Sequence, residues 1–196
     1  MKPILKAVIA IIIIAATVAG AYMYWLQTLQ QPPPKPTGEV ILTVEGKITK
    51  TNTEDGRFQF DIDMLENIAD KEYTILDPWL KESINYTGVS LVKLLEYVGA
   101  EDKAVRIAVR ARDDYTVVFD IKGLKEHGQD IMIAFKANGQ YIPESKGGPL
   151  KIVLPPDQEH QIVERVLVGV VSGEGVNFDK EFNRAFEWWV VRIIIQ

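Results

Sequence analysis

The residues able to do chemistry in this 196-residue chain are few, and their types exclude several reactions at once. There is no cysteine, which removes disulfides, thiolate metal sites, haem attachment through sulfur and thiol nucleophiles. His127 and His160 are the only histidines, too few for a multi-histidine metal centre. Glu174, Asp179, Glu181 and Glu187 offer oxygen donors to a hard cation, against the ordinary reading of a solvated acidic loop. His160 beside Glu159 has acid–base character, yet no nucleophile or oxyanion hole accompanies it. Asn85-Tyr86-Thr87 is a glycosylation sequon, open to modification outside a membrane. Phe186, Trp188 and Trp189 read as core, or, if exposed, as a partner surface.

Net charge is −5 and no Lys/Arg stripe runs along the chain, so a nucleic-acid partner, which needs a basic surface, is not expected. The same balance gives no general field for a polyanion. A phosphate site would have to be built locally, from loop N–H groups and a few basic side chains.

The elements that must position these residues follow from periodicity. Residues 40–48 (VILTVEGKI) and 58–62 (FQFDI) read as strands, the second by strict alternation. Residues 64–69 suit a short helix capped by Asp61 or Asp63. Residues 73–76 suit a strand interrupted by Asp77-Pro78. Leu91, Leu94, Leu95 and Val98 make one helical face, capped by Ser90 and ended by Gly99. Residues 105–111 alternate with Arg106 and Arg110 on one face, turn at Asp113-Asp114, and return over 115–119. Residues 121–126 suit a short helix and 131–135 a strand, followed by the hairpin signal Asn138-Gly139. A loop carries Gly147-Gly148-Pro149 into a buried-type strand at 150–154. Residues 161–171 fit either helix or strand, and Gly173 and Gly175 mark a loop. Residues 186–195, apolar on both faces apart from Glu187 and Arg192, read as a central closing strand. Many short strands with a few short helices define an α+β domain.

Before this domain lies a different kind of sequence. Between residues 4 and 26 the only charge is Lys6, and a run of that length suffices for one transmembrane helix. Lys2 and Lys6 precede it, and Tyr22, Tyr24 and Trp25 close it, which predicts a cytoplasmic N-terminus and a periplasmic or extracellular domain in a cell membrane. The competing reading is a cleaved signal peptide with Ala19-Gly20-Ala21 as its cleavage site. Residues 27–37, with Pro32-Pro33-Pro34 and Pro36, form a semi-rigid polyproline spacer. The expected organisation is therefore an anchor at 1–26, a linker at 27–37 and one domain at 38–196.

Four segments, in order, resemble the oxidoreductase molybdopterin-binding family, which includes sulfite oxidase and periplasmic methionine-sulfoxide reductases. They are Tyr86-Thr87-Gly88-Val89-Ser90-Leu91 with Leu94-Leu95 and Gly99; Arg112-Asp113-Asp114-Tyr115; Gly147-Gly148-Pro149-Leu150-Lys151-Ile152-Val153; and Trp189-Val190-Val191-Arg192-Ile193. The resemblance implies a β-rich sulfite-oxidase-type fold over residues 38–196. It implies that Asp114, Tyr115, Gly147 and Gly148 line a molybdopterin pocket, with Arg112, Lys146 and Lys151 as phosphate partners. The alternative for each is structural: a tight turn into a strand for the glycines, core for Tyr115, a solvated charge for Arg112.

Two positions depart from the family. Its molybdenum-ligating cysteine, about four residues before a tryptophan, falls on Ile75 if that tryptophan is Trp79, and a hydrocarbon cannot ligate a soft metal. Its lysine before the closing tryptophan falls on Trp188. Asp77-Pro78-Trp79 is similar to a set of small bacterial exported proteins that also lack the cysteine. The expectation is a non-catalytic, membrane-anchored module that binds a ligand or protein partner, with no resident cofactor and no protein metal ligand. The alternative is a molybdopterin oxidoreductase whose molybdenum is held without a protein cysteine and which uses an electron-transfer subunit.

Overall fold

A computed structural model describes residues 3–29, 32–155, 165–172, 175–177 and 189–196, with side chains placed over 12–25, 32–155, 165–169 and 189–196. It divides into two compact units, residues Met1–Pro33 and Pro34–Gln196. The first is the helix α1 (Pro3–Leu29). Among the described residues no helix is long and apolar enough to cross a membrane.

The second unit begins at Pro34, inside the segment expected to be a semi-rigid spacer, because two polar side chains of the domain take hold of it. The Asn52 amide donates to the carbonyl of Pro34 (2.8 Å) and ties down Gln59 in both directions. The Asp61 carboxylate accepts the N–H groups of Thr37 (2.6 Å) and Gly38 (2.9 Å). With its other oxygen it accepts from Met64 N–H (2.9 Å) and so caps α2 (Ile62–Asn67). Of the two carboxylates that precede this helix, Asp61 is the cap.

Two sheets carry the domain. The larger runs in the order β11 (Gly175–Asn177), β10 (Leu167–Ser172), β6 (Thr116–Asp120), β5 (Arg106–Ala111), β12 (Val190–Ile195), β1 (Leu42–Gly46), β2 (Phe58–Phe60). The closing strand β12 is central, antiparallel to β5 and parallel to β1, as its two apolar faces require. Residues 167–172, ambiguous in sequence, are strand, paired with Val117 and its neighbours. Residues 161–164 lie outside the described residues.

The smaller sheet runs β3 (Lys71–Leu76), β4 (Ser83–Ser90), β7 (Met132–Ala137), with β8 (Gln140–Tyr141) and β9 (Lys151–Val153) both on the far side of β7. Periodicity assigns no strand to residues 83–89, which here belong to β4, and Gly88 is demanded by the pairing with β7. A Cβ on it would stand 2.3 Å from the carbonyl oxygen of Ile133, so only glycine lets β4 and β7 approach. Ser90 ends β4 and caps α3 (Leu91–Tyr97), and Asp120 caps α4 (Ile121–His127) through Gly123 N–H at 2.7 Å. The inward faces of both sheets and these helices form one continuous apolar core.

The smaller sheet is curled. In a flat sheet β3 and β9, three strand spacings apart, would be separated by about 14 Å, beyond a tyrosine's reach. Yet the hydroxyl of Tyr73 on β3 lies 3.1 Å from the carbonyl of Val153 on β9, and 2.8 Å from that of Asp130. A buried polar contact, described below, bridges the same gap.

The donors on Asp61, first Gly38 and Met64 N–H and then Thr37, hold its carboxyl below the usual range against the opposing effect of burial. A carboxyl with a lowered folded pKa contributes stability above its unfolded value of about 3.9, and that stability is lost as pH falls through the folded pKa. Asp61→Ala should therefore cost about 2 kcal/mol in urea unfolding at neutral pH, and the gap from wild type should shrink in acid below the folded pKa.

Candidate functional site

Four loop segments meet at one junction between the sheets. The β3–β4 turn (residues 77–82) is folded around Asp77, whose Oδ1 accepts the N–H groups of Trp79 (2.9 Å) and Leu80 (2.8 Å). This is the local turn that Asp before Pro favours. The β8–β9 loop leaves the edge of β7 after Ile142, makes a 3-10 turn at Glu144–Lys146, and re-enters as β9. The β5–β6 hairpin turn spans 112–115, and Trp189 stands at the start of β12.

Hydrogen bonds and charges join these segments. Trp189 N–H donates to the carbonyl of Gly147 (2.8 Å), its indole N–H to the carbonyl of Glu144 (3.0 Å), and its own carbonyl accepts Arg112 N–H (3.0 Å). The Arg112 guanidinium lies 2.9 Å from the Glu144 carboxylate and 5.8 Å from the centre of the Trp189 ring. Lys146 reaches Glu82 across 3.7 Å. The exposed indole of Trp79 is displayed on the same β3–β4 turn as Glu82.

Of the residues expected to line a pocket, Arg112, Lys146, Gly147 and Gly148 are brought together here. Asp114 and Tyr115 share the hairpin turn with Arg112. Asp114 has φ +69°, so the turn takes the left-handed conformation that a glycine would supply, and its carboxylate pairs with Arg110 at 3.2 Å. Tyr115 is half-buried and packs on the core. Gly148 owes its identity to the chain itself, since a Cβ there would stand 1.8 Å from the carbonyl oxygen of Ile142. The structural reading of that glycine is thus sufficient without any ligand.

Lys151 differs from the rest. It is fully buried, and its ammonium is ion-paired with Asp77 Oδ2, also fully buried. The same oxygen accepts the hydroxyl proton of Tyr86 at 2.7 Å. The ammonium lies 3.4 Å from the Tyr86 hydroxyl and 5.5 Å from the centre of its ring. Burial works to raise the Asp77 pKa, but the donors from Leu80 N–H, Lys151 and Tyr86 outweigh it and hold the carboxyl below its usual range. Burial pulls the lysine down while Asp77 opposes that pull. Burial, then the adjoining carboxylate, drives the Tyr86 hydroxyl well above its ordinary value. The resemblance makes Lys151 a phosphate partner of a cofactor pocket, whereas its ammonium is buried against Asp77. Sequence reasoning missed Asp77 and Tyr86 as companions of Lys151 and Glu82 and Glu144 as counter-charges, the one available signal being Asp-Pro as a turn that buries its carboxylate.

The donor set does not fit a protein-ligated molybdenum centre. The chain has no thiolate, and Ile75 is a buried core residue paired with Ile84 across β3 and β4. Among the described residues no three His, Asp or Glu side chains are grouped to hold a metal ion. The two surface cations each face a carboxylate, and the third is buried on Asp77. Residues 159–160, 174, 179, 181 and 187, and Trp188, lie outside the described residues.

A curled antiparallel sheet packed on a larger mixed sheet, with loops gathered at their junction, agrees with the β-rich sulfite-oxidase type of α+β fold. Residues 63–160 match the family described as the oxidoreductase molybdopterin binding domain, 98 of 196 residues. The chain belongs to that family. Among solved structures it is similar to the sulfane dehydrogenase SoxCD from Paracoccus pantotrophus, with TM-score 0.52 and 17% identity over 79% of this chain. It spans 37% of that chain's length, and at this identity the likeness is one of fold. No curated protein matches.

The backbone fit at Gly148 and the exposed pair at Arg112 predict opposite mutational outcomes. Gly148→Ala should destabilise the domain by about 3 kcal/mol, because the loop must move off Ile142. Arg112→Ala, which loses an exposed ion pair, should change stability by less than about 1 kcal/mol in the same urea titration.

Proposed function

We propose that this chain is a non-catalytic module of the molybdopterin-binding family, anchored in a cell membrane and displayed outside the cytoplasm, that binds a ligand or protein partner at its loop junction. The observation that carries the reading is the Asp77–Lys151–Tyr86 network. The position two residues before Asp77 holds a hydrocarbon, and the buried cation that follows the Gly-Gly-Pro loop is satisfied from within. What remains at the surface is a set of paired charges, Arg112 with Glu144 and Lys146 with Glu82, around exposed aromatic surface at Trp79. Such a mixed surface suits recognition of another polar molecule better than capture of a highly anionic cofactor.

The anchor is supported by the sequence, in which residues 4–26 carry only the charge of Lys6, and by the helical course of α1 over Pro3–Leu29. The positive residues before it favour a cytoplasmic N-terminus.

The test is an elemental inventory of the protein isolated from its own membranes after a high-pH wash. The expected result is retention in the membrane fraction and molybdenum or tungsten far below one atom per chain. Stoichiometric metal would replace this reading with that of an oxidoreductase whose molybdenum is held without a protein cysteine.

A further inference from the structure

The two sheets end on edges of opposite character. In the larger sheet β2 is one outer strand, and the segment before it closes its edge. Asn52 and Thr53 N–H donate to the carbonyl of Arg57 (3.1 and 3.2 Å), and the Thr53 hydroxyl accepts Arg57 N–H (2.9 Å). The Asn52 side chain exchanges two bonds with Gln59, both 2.8 Å, as a neighbouring strand would. An edge closed in this way offers no template to another chain. The smaller sheet ends on β3. Asp77 N–H donates to the carbonyl of Glu82 (2.9 Å), and the ladder keeps that register back to Lys71 opposite Gly88. Residues of an antiparallel ladder alternately turn their backbone groups towards the neighbour and away from it. Lys71, Tyr73 and Ile75 therefore face β4, and Glu72, Thr74 and Leu76 face outwards. Asn85 agrees with this. It stands opposite Thr74, yet its N–H and carbonyl are turned to Asn138, at 3.0 and 2.7 Å. Among the described residues no donor or acceptor meets the outward groups of β3. The side chains of the same three residues are exposed, Leu76 at 70%, and the exposed indole of Trp79 follows on the turn. Tyr73, which reaches towards β9, alternates to the other face.

We propose that the outer edge of β3 is a docking site for an extended segment of a partner protein, which joins the smaller sheet as a further strand. This deepens the partner-binding reading above and rests on it. Backbone groups of Glu72, Thr74 and Leu76 supply the ladder, and side chains select the segment. A basic residue opposite Glu72 and an apolar one opposite Leu76 complement the edge. A second copy of β3 does not. The antiparallel register that uses all three outward residues sets Thr74 against itself and Glu72 against Leu76, a charge against a hydrocarbon. Sliding the copy two residues towards its turn sets Glu72 against Pro78, which has no N–H to donate.

The test uses the full chain in detergent and a capped synthetic peptide, Thr-Val-Thr-Val-Thr-Lys-Thr, followed by amide NMR shifts. Laid antiparallel on β3, its lysine meets Glu72 and its first valine meets Leu76. At millimolar peptide the largest amide shifts should fall on Glu72, Thr74 and Leu76. Glutamate in place of the peptide's lysine should weaken binding about five-fold. Methylating the nitrogen of the central valine, which would donate to the Thr74 carbonyl, should abolish it. On the protein side, Thr74→Pro removes an outward N–H and leaves the β3–β4 ladder its bonds. It should cut affinity about ten-fold. If that variant does not fold, the methylated peptide answers the same question. Absence of shifts with the unmodified peptide, or shifts indifferent to the methylation, would overturn the proposal. So would shifts at these amides that grow with protein concentration alone, which would make the occupant a second copy. Stoichiometric molybdenum would defeat the non-catalytic reading without altering this titration, so the two failures are distinguishable.

Discussion

Closing a curled sheet around buried polar groups is the constraint on which this domain turns. The strands β3 and β9 face one another without backbone pairing, so side chains must span the gap. Tyr73 does so with its hydroxyl against two carbonyls, and Asp77 does so with a charge against Lys151. Low local polarity makes each contact strong and each unpartnered group costly. Once Asp77 is committed to Lys151 and Tyr86, its other oxygen fixes the 77–82 turn, and the placing of Trp79 and Glu82 follows.

The same economy of donors shapes the junction between the sheets. The β8–β9 loop is held by backbone: Gly148 is pressed against Ile142, and the carbonyl of Gly147 receives Trp189 N–H. Trp189 in turn holds Arg112 through its carbonyl and lies beneath its guanidinium. Glu144 and Glu82 then meet the two exposed cations. Every feature that reads as a cofactor cradle in the sequence has an internal partner in the fold. The family's scaffold is kept here by packing and backbone geometry.

Much of this architecture is legible in the sequence because it is local. Alternation marks residues 58–62 and 105–111 as strands, Ser90 and one of Asp61 and Asp63 are marked as caps, and the two-sided apolar run at 186–195 predicts a central strand, found over Val190–Ile195. Ile75 is visibly unable to bind metal in any fold. What stayed hidden is non-local. Asp77 and Lys151 are 74 residues apart, and a lysine is ordinarily taken to face water. The need for Gly88 comes from the backbone of Ile133 on a neighbouring strand, and Glu144 and Glu82 meet Arg112 and Lys146 only in the fold. The grip of Asn52 and Asp61 on residues 34–38 was hidden for the same reason, since proline-rich sequence describes stiffness and says nothing of what it packs on.

The central claim is that Lys151, Tyr86 and the N–H groups of the 77–82 turn hold Asp77 in its charged form, and a carbon-13 NMR titration of the Asp77 carboxyl in the full chain tests it most directly. The account predicts a carboxyl that titrates below the ordinary value of about 3.9, and that moves upward when Lys151 is replaced by methionine. A carboxyl that titrates at or above the ordinary value, unmoved by that replacement, would contradict it.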